Sequence, residues 1–196
     1  MNGTDEAMTD ITGLRLSRRG LLRAFAATAV TAAPTYTAAA GFLRGAGDVR
    51  RIKMYSGRTG EHLDMIYWIE GKYISDALKE VNYFMRDWRQ DAAANMDTRT
   101  VDIIAATRNL LNTDNGFMLL SGYRTAQTNA MLRARSSGVA KRSLHMDAKA
   151  ADLRLNGRSV SQVARAAASC SAGGVGRYSG SNFVHVDCGP VRTWGR

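Results

Sequence analysis

Cysteine is nearly absent from this chain, which has two in 196 residues, Cys170 and Cys188. They are not spaced as C-x-x-C, so neither a zinc ribbon nor a dithiol redox motif is available. Whether the two pair as a disulfide stays open, because spacing does not show that their Cα atoms come close enough. Long apolar runs are also missing. The most apolar stretch near the N-terminus, Ala24 to Ala33, is about ten residues long and rich in Ala and Thr, whereas a spanning helix needs about 20 strongly apolar residues. No nucleotide-binding glycine fingerprint, internal repeat or low-complexity linker occurs. Histidine is scarce too, with three in all: His62, His145 and His185.

Basic residues, by contrast, are in excess. Twenty-seven Lys and Arg against 17 Asp and Glu give a net charge of +10, which favours a polyanionic partner such as nucleic acid, anionic lipid or an acidic wall polymer. No Lys/Arg block interleaved with aromatics accompanies the charge, so a nucleic-acid partner is not expected. The N-terminus carries Ser17-Arg18-Arg19-Gly20-Leu21-Leu22, then the short mild apolar stretch, Pro34, and the small residues Thr37-Ala38-Ala39-Ala40. Adjacent arginines, a weak apolar core and an Ala-x-Ala-like end are the parts of a twin-arginine export signal. The reading is a cleaved leader over residues 1–40 and one domain over 41–196, exported to the periplasm, with no stable membrane span after cleavage.

Within the domain, Ala77, Leu78, Val81, Phe84, Met85 and Trp88 recur at helical spacing and predict an amphipathic helix over 76–89. Helices are also expected over 98–112, 125–135 and 160–168. The apolar run Phe117 to Leu120 predicts a buried strand. Ala151 to Leu155 alternates before an Asn156-Gly157 turn, and Gly173, Gly174 and Gly176 punctuate a further short strand. Along Asn182 to Cys188, Phe183, His185 and Asp187 point one way and Val184, Val186 and Cys188 the other. Helices precede a compact sheet, so the expected class is α+β, with a small central antiparallel sheet and helices packed on it.

Two of the three histidines have suggestive neighbours. His145 sits on a loop with Asp152 seven residues on, at the start of a strand, and His185 shares a strand face with Asp187. Spacing alone leaves a metal site and a hydrogen-bonded structural histidine both open. Taken together, Ser121-Gly122-Tyr123-Arg124, Ser143-x-His145 with Asp152, and Asn182-Phe183-Val184-His185-Val186-Asp187 resemble the LAS group of zinc peptidases. That group holds D-alanyl-D-alanine peptidases, murein endopeptidases and the hedgehog fold. The likeness runs from about Met54 to Trp194, includes Thr59-Gly60-Glu61 and Arg86-Asp87, and is strongest to the twin-arginine-exported murein endopeptidase K-like branch.

The resemblance implies a zinc ion held by His145, Asp152 and His185, with Arg124 facing the substrate. It further implies hydrolysis of peptide cross-links in peptidoglycan. A carboxypeptidase trimming a terminal D-alanine, and a zinc-bearing peptidoglycan-binding module without catalysis, are the alternatives. Two departures from the family pattern stand out. Ala148 occupies a position where glycine is usual, and Asn182 stands where many members carry an acidic base three residues before the last histidine. Asp187 is the natural substitute as general base, or else it orients His185; Asp147 is a weaker candidate for the base. His62 reads as a surface or packing residue, and Trp68, Trp88 and Trp194 as core or groove-lining residues.

If the leader is a twin-arginine signal, Arg18→Lys combined with Arg19→Lys should trap the precursor in the cytoplasm, because recognition reads both guanidiniums. Cell fractionation checks this, and normal delivery of the double variant to the periplasm would show the signal to be misread.

Overall fold

Alternate residues of Val49–Ser56 (β1) turn inward, burying Arg50, Ile52, Met54 and Ser56. This is the period of a strand with one face on a core. The computed structural model describes residues 48–195, so the leader read at 1–40 lies outside the described residues. After β1 come His62–Ile69 (β2), Lys72–Tyr73 (β3), helices Ser75–Phe84 (α1) and Thr98–Leu110 (α2), Phe117–Ser121 (β4) and helix Ala126–Arg135 (α3). Ala150–Arg154 (β5), helix Val160–Ser169 (α4), Gly174–Tyr178 (β6), Phe183–Asp187 (β7) and Arg192–Gly195 (β8) complete the order. No helix among the described residues is long and apolar enough to cross a membrane.

The class is α+β, but the sheet is neither small nor wholly antiparallel. Eight strands run in the order β3-β2-β1-β4-β5-β7-β6-β8. β1 pairs parallel with β4, and β6 parallel with β8. The three N-terminal strands had no counterpart in the sequence reading, and they extend the sheet on the far side of β4. Helix α1 packs on β2, α2 on β1 and β7, and α4 on β6, β7 and α2. Ala151 and Leu153 of β5 and Val184 and Val186 of β7 are buried in the main apolar cluster, which also holds Val101, Ile103 and Ile104 of α2. By strand alternation, Asp152 and His185 lie on the opposite face.

Helix boundaries follow local chemistry. Asp97 caps α2 by accepting from Arg99 N, Thr125 caps α3 by accepting from Thr128 N, and Ser159 with Gln162 forms a capping box on α4. Helix α1 stops at Phe84 rather than at 89 as its spacing predicts. The chain turns away because residues 85–87 dock on the segment after β4. Met85 O accepts from Tyr123 N at 2.7 Å, and the Asp87 carboxylate accepts from Thr125 N at 2.9 Å and Thr125 Oγ1 at 2.8 Å. Trp88, expected on the helix stripe, is left 37% exposed on the loop. Cys170 and Cys188 are both free and buried, so no disulfide joins them.

One polar knot ties the N-terminal strands to α2. Asp102 is 2% exposed and takes Arg50 Nη1 at 2.8 Å, Tyr67 OH at 2.8 Å and Tyr73 OH at 2.7 Å. Burial, helped by the Asp102 charge, pushes the Tyr67 hydroxyl far above its ordinary range and Tyr73 up to about 12. Removing one member of such a group strands a buried charge, which typically costs about 3–5 kcal/mol. Asp102→Ala should therefore lower the urea-unfolding free energy by about that amount. A loss below about 1 kcal/mol, the value of an exposed pair, would show the knot to be peripheral.

Candidate metal centre

Each side chain of the predicted ligand set comes from a different element. His145 lies on a tight turn between α3 and β5, Asp152 on β5 and His185 on β7. β5 and β7 are antiparallel neighbours, and their register sets Asp152 directly against His185. A register shift in the β4–β5 pairing puts Ser121 opposite Asp152. The turn carrying His145 closes through Ala148, whose φ is +55°. Glycine enters that left-handed region freely and alanine only at a cost, which accounts for the usual glycine there. Asn182, just before β7, also has a positive φ, +53°. Asparagine tolerates this conformation well, so its presence has a backbone reason.

Both imidazoles are oriented from outside. His145 is 2% exposed, and its Nδ1 lies 2.7 Å from the Gly122 carbonyl oxygen. An oxygen that only accepts requires Nδ1 to carry the proton, which leaves the Nε2 lone pair pointing inward. His185 Nε2 lies 3.1 Å from Asp187 Oδ2, so by the same logic its Nδ1 lone pair points inward. Gly122 itself must be glycine, because a Cβ there would sit 2.3 Å from Met85 O.

The three inward atoms converge. His185 Nδ1 is 2.8 Å from Asp152 Oδ1, His145 Nε2 is 3.2 Å from the same oxygen, and the two nitrogens are 3.2 Å apart. A tetrahedral zinc site with bonds of about 2.0–2.1 Å has ligand–ligand edges of about 3.3 Å. Two imidazoles and one carboxylate are also a donor set that zinc takes in catalytic sites, leaving one position open. The residues present therefore fit the ion. Among the described residues no other set of three His, Cys, Asp or Glu side chains converges in this way.

The electrostatics carry the same signature. Burial works to raise the Asp152 carboxyl, but the charges and hydrogen bonds of His145 and His185 outweigh it and hold the group well below the usual carboxylate range. Burial works to lower His185, yet its bonds to Asp152 and Asp187 push it up to about 9. Both shifts come from packing two imidazoles against two carboxylates.

Arg124 is 7% exposed and reaches Ser121 Oγ at 3.1 Å, Asn129 Oδ1 at 3.3 Å and Asp152 Oδ2 at 3.5 Å. Its buried Nε has no hydrogen-bond partner. Asp187 is fully buried, and donors occupy both oxygens. Oδ1 accepts from Gly174 N at 3.1 Å, Gly189 N at 2.8 Å and Arg192 Nη1 at 3.1 Å. Oδ2 takes Arg192 Nη2 at 2.7 Å besides His185 Nε2. Burial favours the neutral acid, but His185, Arg192 and the Gly189 amide hold Asp187 well below the ordinary carboxylate range. Asp147 is exposed on the turn after His145, and His62 is exposed and stacks on Tyr55 with ring centroids 6.1 Å apart.

One contributor, Arg192, escaped the sequence, and Trp194, read there as a core or groove-lining residue, lies beside the site. Arg192 gives no motif signal, because its bidentate grip on Asp187 exists only once β8 lies beside β6. Trp194 packs across Gly176 and places its ring 5.4 Å from that of His185, with Nε1 donating to Tyr178 OH at 3.0 Å. A Cβ on Gly176 would come within 2.7 Å of that indole. A small residue paired with a ligand histidine was the available clue.

Known proteins are similar to this chain in sequence. The family model described as peptidoglycan L,D-endopeptidase MepK matches residues 44–194. The peptidoglycan L,D-endopeptidase MepK of Escherichia coli strain K12 is 42% identical over 136 residues, 69% of this chain and 75% of that protein. A probable peptidoglycan L,D-endopeptidase MepK of Haemophilus influenzae is 41% identical over 137 residues, 69% of this chain and 74% of that protein. The matched span includes positions 145, 152 and 185, and the chain belongs to this M15_2 peptidase family.

Proposed function

We propose that the chain is a zinc-dependent endopeptidase that hydrolyses peptide cross-links of peptidoglycan, acting in the periplasm after twin-arginine export and built on the LAS-type fold. The observation that carries this reading is the convergence of two imidazole lone pairs and one carboxylate oxygen at 2.8–3.2 Å from one another. Membership of a family described by that activity gives the substrate class. Zinc, when bound, supplies a Lewis acid for the scissile carbonyl and for the attacking water. His145, Asp152 and His185 hold it. Gly122 O and Asp187 keep both imidazoles in the tautomer and rotation that ligation needs, an outer shell that raises ligand basicity.

Arg124 stands beside Asp152 with its guanidinium largely out of water, where a fixed positive charge acts strongly. There it stabilises the negative charge that develops on the carbonyl oxygen as the amide is attacked. Asp187 is better suited to positioning than to proton transfer. A general base needs a lone pair within reach of the water's proton, and donors from Gly174, Gly189, Arg192 and His185 already engage both Asp187 oxygens.

Elemental analysis should find one zinc per chain, and His185→Gln should lose it together with hydrolysis of cross-linked muropeptides. Full zinc retention in that variant would remove His185 from the site. Chelator should abolish cleavage by the intact protein and added zinc restore it. Failure of the zinc-loaded protein to cut any such substrate would favour the binding-module alternative.

Asp187→Asn separates its two roles. As a positioning residue its loss should weaken zinc affinity about 10–100-fold, and saturating zinc should recover most of the cleavage. Unchanged zinc affinity with cleavage down about 10²–10⁴-fold would instead make Asp187 the proton acceptor.

A further inference from the structure

On the loop after α1, two guanidiniums lie over the exposed ring of Trp88. Arg89 Cζ is 4.3 Å from the ring centroid and Arg58 Cζ is 5.9 Å from it. Some other arginines hold carboxylates, Arg51 on Asp64, Arg86 on Glu61 and Asp91, Arg99 on Asp97, and Arg192 on Asp187. Among the described residues, no side-chain hydrogen bond or ion pair is made by Arg58 or Arg89. The carboxylate next to Arg89 in sequence, Asp87, is committed to Thr125 N and Oγ1 and to the Arg89 backbone amide. Burial and the nearby charges of Arg58 and Arg135 lower the Arg89 pKa against the pull of Asp87, so positive charge is crowded here.

This cluster is fixed beside the metal centre. Residues 85–87 bond to Tyr123 and Thr125, on either side of Arg124. The turn bearing Arg58 is tied to the same loop, because Arg86 grips Glu61 through Nη1 at 3.1 Å and Nη2 at 3.0 Å. Arg124 also feels the charge of Arg89. A guanidinium stacked on an indole keeps its in-plane N–H donors free, which suits bidentate capture of a carboxylate.

We propose that Arg58, Trp88 and Arg89 form a carboxylate-binding ledge that holds an acidic arm of the peptide substrate away from the bond that is cut. The proposal rests on the endopeptidase reading for its substrate class. Held there, the arm adds binding in both ground and transition states, so its loss appears in KM.

The test uses zinc-loaded full-length protein and a cross-linked muropeptide, with free carboxylates or with the same carboxylates amidated. Arg58→Gln with Arg89→Gln should keep its zinc and raise KM for the free-carboxylate substrate about tenfold, with kcat little changed. Amidation should cost the native protein about as much and cost the double variant nothing further. Lys79→Gln with Arg165→Gln removes two charges from α1 and α4 and should leave KM where it was. An unchanged KM in the ledge variant, or losses from amidation and substitution that simply add, would overturn the ledge.

Calorimetric titration of the chelator-treated native protein with the two peptides reads binding without turnover, and tighter binding of the free-carboxylate form is expected. Equal binding of the two peptides would also overturn the ledge. If the zinc-loaded protein cut neither peptide yet preferred the free carboxylates, the ledge would stand and the endopeptidase reading would fall.

Discussion

Three electron-rich atoms held against one another inside a protein repel unless a positive charge sits among them. His145 Nε2, His185 Nδ1 and Asp152 Oδ1 are in that position, and most of the surrounding architecture serves to keep them there. The Gly122 carbonyl and the Asp187 carboxylate take the outer protons of the two rings, so neither ring escapes by switching tautomer. Asp187 is in turn immobilised by Arg192 and two backbone amides. The sheet supplies the spacing between Asp152 and His185, and one tight turn brings in His145.

Different parts of the fold do different work. Helices α1, α2 and α4 cover one face of the sheet and supply its apolar burial. The opposite face carries the polar chemistry, with loops closing on it from β4, from the turn before β5 and from the segment after α1. The docking of residues 85–87 on Gly122–Thr125 links these loops. It fixes the carbonyl that orients His145, the cap of α3 and the approach to Arg124 in one set of contacts.

The sequence makes β7 legible because five residues alternate strictly, and it singles out the candidate ligands His145, Asp152 and His185, which the fold brings together. It hides β1 and β2. Along β1 the inward set includes Arg50, whose burial makes sense only beside Asp102, more than fifty residues away. The end of α1 is obscured for a related reason. Trp88 keeps the helical spacing, but Asp87 has a stronger tertiary partner in the N-terminus of α3 than the helix offers. For Asp187, alternation correctly places it on the face of His185. Its environment comes from β6, β8 and the turn between β7 and β8, so its role is a matter of assembly and not of local pattern.

The pairing of Asp152 with His185 across two neighbouring strands ties the candidate metal centre to the alignment of the sheet. A slip of one residue in either strand would carry a ligand to the helix-covered face and an apolar neighbour such as Val184 or Leu153 to the open one. Such a misaligned state buries unpartnered polar groups and exposes aliphatic surface at once. The polar pair therefore disfavours the slipped alignment. Variants at Asp152 and His185 intended for structural or binding work are accordingly better made with polar replacements, since an aliphatic one would remove the difference between the two faces of the strand.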